Sequence, residues 1–115
     1  MTCKKITVDG VEYVRKDLQT LSENYYIVRT HSAGVFAGEI KSRNGMEVVM
    51  KNARRLWYWD GAASLSQLAM EGTKAPENCK FPCEVAWVEL TQVIEILPCT
   101  LEAQKSICEV EVWKR

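Results

Sequence analysis

The sequence predicts an α+β fold: a mainly antiparallel β-sheet, built as a meander of hairpins, with one or two short helices in a single domain over residues 1–115. Three observations predict it. Short runs of β-branched and aromatic residues are separated by Asp9-Gly10 and Asn44-Gly45, dipeptides that favour tight hairpins because the central turn residues need positive φ. Two later stretches carry apolar residues at helical spacing. The length of 115 residues, with 47% apolar and 26% charged residues, suits one ordinary globular core.

The elements follow in order. Ile6, Val8, Val11, Tyr13 and Val14 flank Asp9-Gly10 and predict a first hairpin over about residues 4–15. Residues 16–22 are polar with two leucines and suit a connection or a short helical turn. Tyr25–Thr30 is rich in aromatic and β-branched residues and predicts a strand. Ser32-Ala33-Gly34 is a turn, and a second strand runs from Val35 to about Arg43. Asn44-Gly45 turns the chain into Glu47–Lys51, a strand with an extension expected through Trp57-Tyr58-Trp59. Asp60-Gly61 breaks the pattern. Ala63–Glu71 suits a short helix with Leu65, Leu68 and Ala69 on one face and Gly72 to end it. Pro76 and Pro82 mark residues 72–83 as irregular. Val85–Leu90 predicts a strand, and Val93–Leu97 another apolar stretch stopped by Pro98. Thr100 is an N-cap for a helix to Cys108, with Leu101, Gln104, Lys105 and Cys108 at helical spacing. Val110–Trp113 alternates and suits a last edge strand.

Charge and composition narrow the function. Fifteen basic residues balance fifteen acidic ones. A polyanion binder usually shows a basic excess, so no DNA or anionic membrane partner is expected. Neutrality also removes a barrier to self-association. No apolar run approaches the roughly 18–20 residues that span a bilayer. The start of the chain lacks the apolar core of a signal peptide, so a cytoplasmic protein is expected. The five cysteines (Cys3, Cys79, Cys83, Cys99 and Cys108) then read as free thiols. Cys79-x3-Cys83 with Cys99 and Cys108 is the only arrangement suggesting zinc, and its second spacing is poor for a compact site. His31 is the single histidine. It has no neighbour at ligand spacing and no nucleophile motif beside it, so a loop histidine is favoured over a catalytic one. No catalytic residue, metal or cofactor is expected.

The run Asn52–Ser64 carries the most information. Arg54 and Arg55 precede Trp57-Tyr58-Trp59, and a glycine turn then opens a helix near Ala62 and Ala63. In extended backbone Trp57 and Trp59 share one face. Core tryptophans are the plain alternative. Arginine offers bidentate hydrogen bonds to phosphate, helix N-termini offer free N–H groups, and an aromatic face stacks a base. A second segment, Arg29–Gly34, combines Arg29, His31 and Ser32 with small residues that let a ligand approach the backbone, although a plain β-turn explains it as well. Phe81 lies outside any periodic pattern and lines a pocket or anchors its loop. The candidate ligand-binding residues are therefore Arg29, His31, Ser32, Asn52, Arg54, Arg55, Trp57, Ala62, Ala63 and Phe81.

Two runs carry a family resemblance: Tyr26–Gly38, and Asn52–Trp59 followed by Gly61–Ser66. They resemble the first described type of Thoeris anti-defence proteins, small phage and prophage "sponges", over about residues 24–113. The resemblance implies a protein of the host bacterial cytoplasm that sequesters a cyclic ADP-ribose-type signal made by a TIR-domain enzyme. Binding without cleavage blocks activation of the NAD-degrading effector. It also implies a homo-oligomer, a dimer or an assembly of dimers, with signal pockets at subunit interfaces. Some members hold cyclic oligonucleotides in separate pockets. The contrasting expectations are an enzyme that degrades such a signal, with His31 as acid or base, and a small nucleic-acid-binding module using Arg54, Arg55 and Trp57.

Overall fold

A computed structural model describes residues 20–114. The hairpin expected at residues 4–15 lies outside them, as do residues 16–19. Five strands lie among the described residues: β1 (Leu21–Thr30), β2 (Val35–Asn44), β3 (Glu47–Arg55), β4 (Glu84–Leu90) and β5 (Val93–Thr100). The helices are α1 (Leu65–Glu71) and α2 (Leu101–Glu109), with a 3-10 turn at Pro76–Asn78. The sheet order is β4-β3-β2-β1-β5, and every pair is antiparallel. The α+β architecture with its meander of strands is therefore the one the sequence predicts.

Several boundaries differ, each for a physical reason. Leu21 and Ser22 belong to β1 and not to a connection. Gly45 and Met46 form the two-residue loop between β2 and β3, one position later than Asn44-Gly45, because Asn44 pairs with Glu47. Gly45 takes the positive φ of 63° at the first loop position, as in type II′ hairpins. β3 stops at Arg55 because β4 begins opposite Arg54. The chain then changes partner, and the N–H groups of Trp57 and Tyr58 donate to the Lys80 carbonyl at 3.1 and 3.3 Å. Pro98 does not end β5. Among the described residues that strand is an edge paired only with β1, where proline removes no ladder bond on its open side. Val112 makes an isolated bridge with Phe81 and no strand.

The sheet cannot be flat. Four strand spacings of about 4.8 Å would separate β4 from β5 by roughly 19 Å. Only Thr91 and Gln92 join them, and three Cα steps of about 3.8 Å reach at most ~11 Å. The sheet therefore curls until its two edges approach at this end. Ile27 and Val28 are neighbours on β1 that point to opposite faces, yet both are 0% exposed. Val28 packs on the face that also holds Phe36, Val48, Met50, Leu90 and Val93, which brings residues of all five strands together. Ile27 packs on the other face, under the helices, with Leu68, Phe81, Cys99, Ala103 and Ile107. Full burial of each such aliphatic side chain contributes about 1.5–3 kcal/mol.

Both helices pack on each other, on β5 and on β1. In α1 the Ser64 hydroxyl accepts from the Gln67 N–H, and Gly72 ends the helix at φ 77°. In α2 the Thr100 hydroxyl accepts from the Ala103 N–H at 3.0 Å and donates to the Met70 carbonyl at 2.8 Å. That cap is fully buried and sets the rotation of the helix, so Ala103 and Ile107 face inward. Leu101 and Cys108, two of the residues at helical spacing, lie on the outer side: Leu101 is 52% exposed, and Cys108 is exposed as well.

Candidate functional site

The chemistry of the site begins with a bulge. Between Glu39↔Lys51 and Ala37↔Arg54, β3 spends two residues, Asn52 and Ala53, opposite the single Gly38 of β2. Asn52 adopts φ 49°, a left-handed conformation that asparagine tolerates better than most residues. The extra residue reverses which face the following side chains take. Arg54 turns toward the helices, and Arg55 turns to the opposite face.

Arg54 is 3% exposed. Its Nε donates to the Pro82 carbonyl at 2.9 Å and its Nη1 to that of Ile107 at 2.8 Å. Its Nη2 donates to Phe81 at 3.0 Å and to Val110 at 2.6 Å. The guanidinium also lies 5.5 Å from the centre of the Phe81 ring. Burial pushes its pKa below the ordinary guanidinium value. Four of the five N–H donors are thus spent on backbone carbonyls. Arg54 is a core clip joining β3, the 81–82 segment and the end of α2, not a ligand arginine. Phe81, at 0% exposure beneath it, is core.

Arg55 has the opposite fate. Its guanidinium lies 4.4 Å from the centre of the Phe36 ring and donates from Nη1 to the Ala33 carbonyl. It thereby sits under the Ser32-Ala33-Gly34 turn. Thr30 braces that turn: its hydroxyl accepts from the Ala33 N–H at 2.8 Å and donates to the Gly34 carbonyl at 2.8 Å. Gly34 has φ 97°, and a Cβ there would meet the Arg55 guanidinium at 3.4 Å.

These parts border an open cleft of about 510 Å³. Ser32, Ala33 and Gly34 form one wall, Arg55, Trp57 and Trp59 another, and Val35 and Leu56 the floor. Trp57 is 63% exposed and presents a free aromatic face. The cleft can hold an anionic group against Arg55 and a flat ring against tryptophan.

Of the ten candidate residues, the cleft unites Ser32, Arg55 and Trp57. Arg29 stands apart in a cross-strand ion pair, Nε to Glu95 Oε1 at 2.8 Å. His31 is exposed beside the turn, its backbone N–H held by the Gln92 carbonyl at 2.9 Å. Asn52 shapes the bulge and offers its amide to Glu39 at 3.4 Å. Ala62 and Ala63 are not in the cleft, and the Ala63 N–H is already given to Gln67 Oε1 at 2.8 Å. Trp59 and Gly34 were not among the candidates. The shared strand face of Trp57 and Trp59 was the available signal for the first, and the small turn residues for the second.

Among the described residues no group of three or more His, Cys, Asp or Glu is placed to hold a metal. The suggested cysteine site does not assemble. Cys79 is buried, with its thiol near the Asp60 and Ala75 carbonyls and the Thr73 hydroxyl, whereas Cys83 and Cys108 are exposed. No helix among the described residues is long and apolar enough to cross a membrane.

No curated protein and no solved structure shows significant similarity to the chain. Residues 23–107, which include β2 to β5, all of β1 but its first two residues, and both walls of the cleft as far as Trp59, match the Domain of unknown function DUF6948. That match spans most of the sequence, and the chain belongs to the DUF6948 family.

Proposed function

We propose that the protein binds a cyclic ADP-ribose-type signal in the Arg55–Trp57 cleft and withholds it, uncleaved, from a Thoeris effector. One observation carries this reading: the two segments singled out in the sequence, Arg29–Gly34 and Asn52–Ser64, each contribute to one cleft, the first through Ser32, Ala33 and Gly34 and the second through Arg55, Leu56, Trp57 and Trp59. A ligand with two phosphates and an adenine needs a cation with directed N–H donors and a stacking surface. Arg55 and Trp57 supply these side by side. Sequestration calls for no nucleophile or base, and the one hydroxyl of the cleft wall, Ser32, is given to Gln92 Oε1 at 3.2 Å. The cleft is open and shallow for so large a ligand, which fits a homo-oligomer whose second subunit completes the enclosure. Binding of cyclic oligonucleotides at separate pockets, and action in the host bacterial cytoplasm, belong to the same proposal.

The test uses extract from cells expressing the TIR-domain enzyme. The protein is expected to stop NAD loss in an effector assay and, after heat denaturation, to release a signal of unchanged mass. A cleaved product would place the protein among enzymes, and failure to protect NAD would reject the proposal. His31→Ala is expected to release the same intact signal.

A further inference from the structure

Arg55 is an exposed residue, yet its side chain is held at two points. Phe36 is its direct cross-strand partner, and the guanidinium lies 4.4 Å from the centre of the Phe36 ring. That ring belongs to the core. It is 3% exposed and packs with Val28, its own partner on β1, and with Met50 and Val93. The second hold is the Ala33 carbonyl, which accepts from Nη1. This acceptor is fixed in turn. Thr30 braces the turn from one side through the Ala33 N–H and the Gly34 carbonyl. Gln92 ties it from the other: its carbonyl accepts from the His31 N–H at 2.9 Å, and its side-chain oxygen from the Ser32 hydroxyl at 3.2 Å. Among the described residues no other acceptor or carboxylate meets Arg55, so its remaining N–H groups stay open beside the cleft. Arg29, by contrast, gives Nε to Glu95.

We infer that Phe36 is a positioning residue for the cleft: its ring, with the Ala33 carbonyl, sets the Arg55 guanidinium in advance, so that the open N–H groups meet a phosphate as a fixed fork. An arginine free to rotate loses that freedom when it closes on a ligand, which weakens binding. The two holds on Arg55 remove part of that loss. The ring covers a face of the guanidinium, whereas the donors project in its plane, so the stack and a phosphate do not compete. Phe36 lines no part of the cleft and acts only through Arg55. Leucine at this position would fill much of the buried space but present no π face. The inference rests on the proposed function only for the phosphate of the ligand.

Nitrogen-15 NMR of the ligand-free protein tests it. The Arg55 Nε–H is expected upfield of freely rotating arginines, shifted by the Phe36 ring, and Phe36→Leu is expected to return it to their range. A wild-type Arg55 signal already in that range overturns the inference, whatever the cleft binds. A purely structural role of Phe36 would not place the signal upfield. Pyrophosphate is the second probe. It is expected to move the Arg55 signal, and Phe36→Leu is expected to raise its Kd about threefold or more, as loss of a partly exposed cation–π contact does. An Arg55 signal that ignores millimolar pyrophosphate, or an equal Kd in folded Phe36→Leu, overturns the inference. The proposed function fails separately, through loss of NAD in the effector assay.

Discussion

Arg54 and Arg55 are adjacent and identical in type, yet the structure gives them unrelated work. Arg54 fills four carbonyls in the core, and Arg55 reaches the cleft wall. Each buried carbonyl left without a donor costs about 1–3 kcal/mol. Arg54→Met is therefore expected to destabilise the fold by on the order of 3 kcal/mol or more, read as a lowered urea midpoint. Arg55→Ala should change stability by less than ~1 kcal/mol, as for an exposed polar group. It should weaken signal binding roughly tenfold or more, since a charge-assisted hydrogen bond contributes about 1.5–3 kcal/mol. Calorimetry and denaturation on the two variants check both halves. Equal loss of stability in both would contradict the assignment.

At the scale of elements, the bulge at Asn52 decides which arginine enters the core, and Gly38 makes room for it. A Cβ on Gly38 would lie 2.7 Å from the Ala53 Cα and 3.0 Å from two backbone carbonyl oxygens. Those atoms belong to the bulge and cannot rotate away. Gly38→Ala is expected to cost about 1–3 kcal/mol, as overpacking does, whereas Gly45→Ala meets no neighbour within 4 Å and pays only for its positive φ. Comparing thermal midpoints of the two variants tests this. The same bulge explains what the sequence could not disclose. Strands with β-branched runs and the caps at Gly72 and Thr100 were visible, because local chemistry determines them. The inward turn of Arg54 was not visible, because strict alternation holds only until an extra residue intervenes, and nothing in Lys51-Asn52-Ala53 marks the bulge by itself. The rotation of α2 was hidden for a similar reason: Thr100 announced the start of the helix, but its bond to Met70 on α1 chose the buried face.

For the molecule as a whole, two buried groups tie stability to pH. Burial pushes the Cys99 thiol up to about 12 from the ordinary 9.0, with Cys108 adding to it. Burial, then the Cys108 hydrogen bond, raises the Tyr25 phenol as well. The unfolded chain releases these protons at their ordinary values, and the folded chain keeps them. Stability is thus fully present below pH 9.0 and falls as pH rises toward about 12. Urea midpoints measured across that window should decline, and Cys99→Ala should decline less steeply. A constant wild-type midpoint would contradict the burial of both groups. The hidden clip also has a consequence in time. β1, β2 and β3 are linked by short loops and close over short distances along the chain, whereas the bonds of Arg54 span 27 to 56 residues. Contacts of such long range form late, after most of the loop-closure entropy has been lost. Arg54 therefore acts as a brake on unfolding and not as a nucleus for folding, and its removal should quicken the escape from the native state while leaving the rate of arrival nearly unchanged.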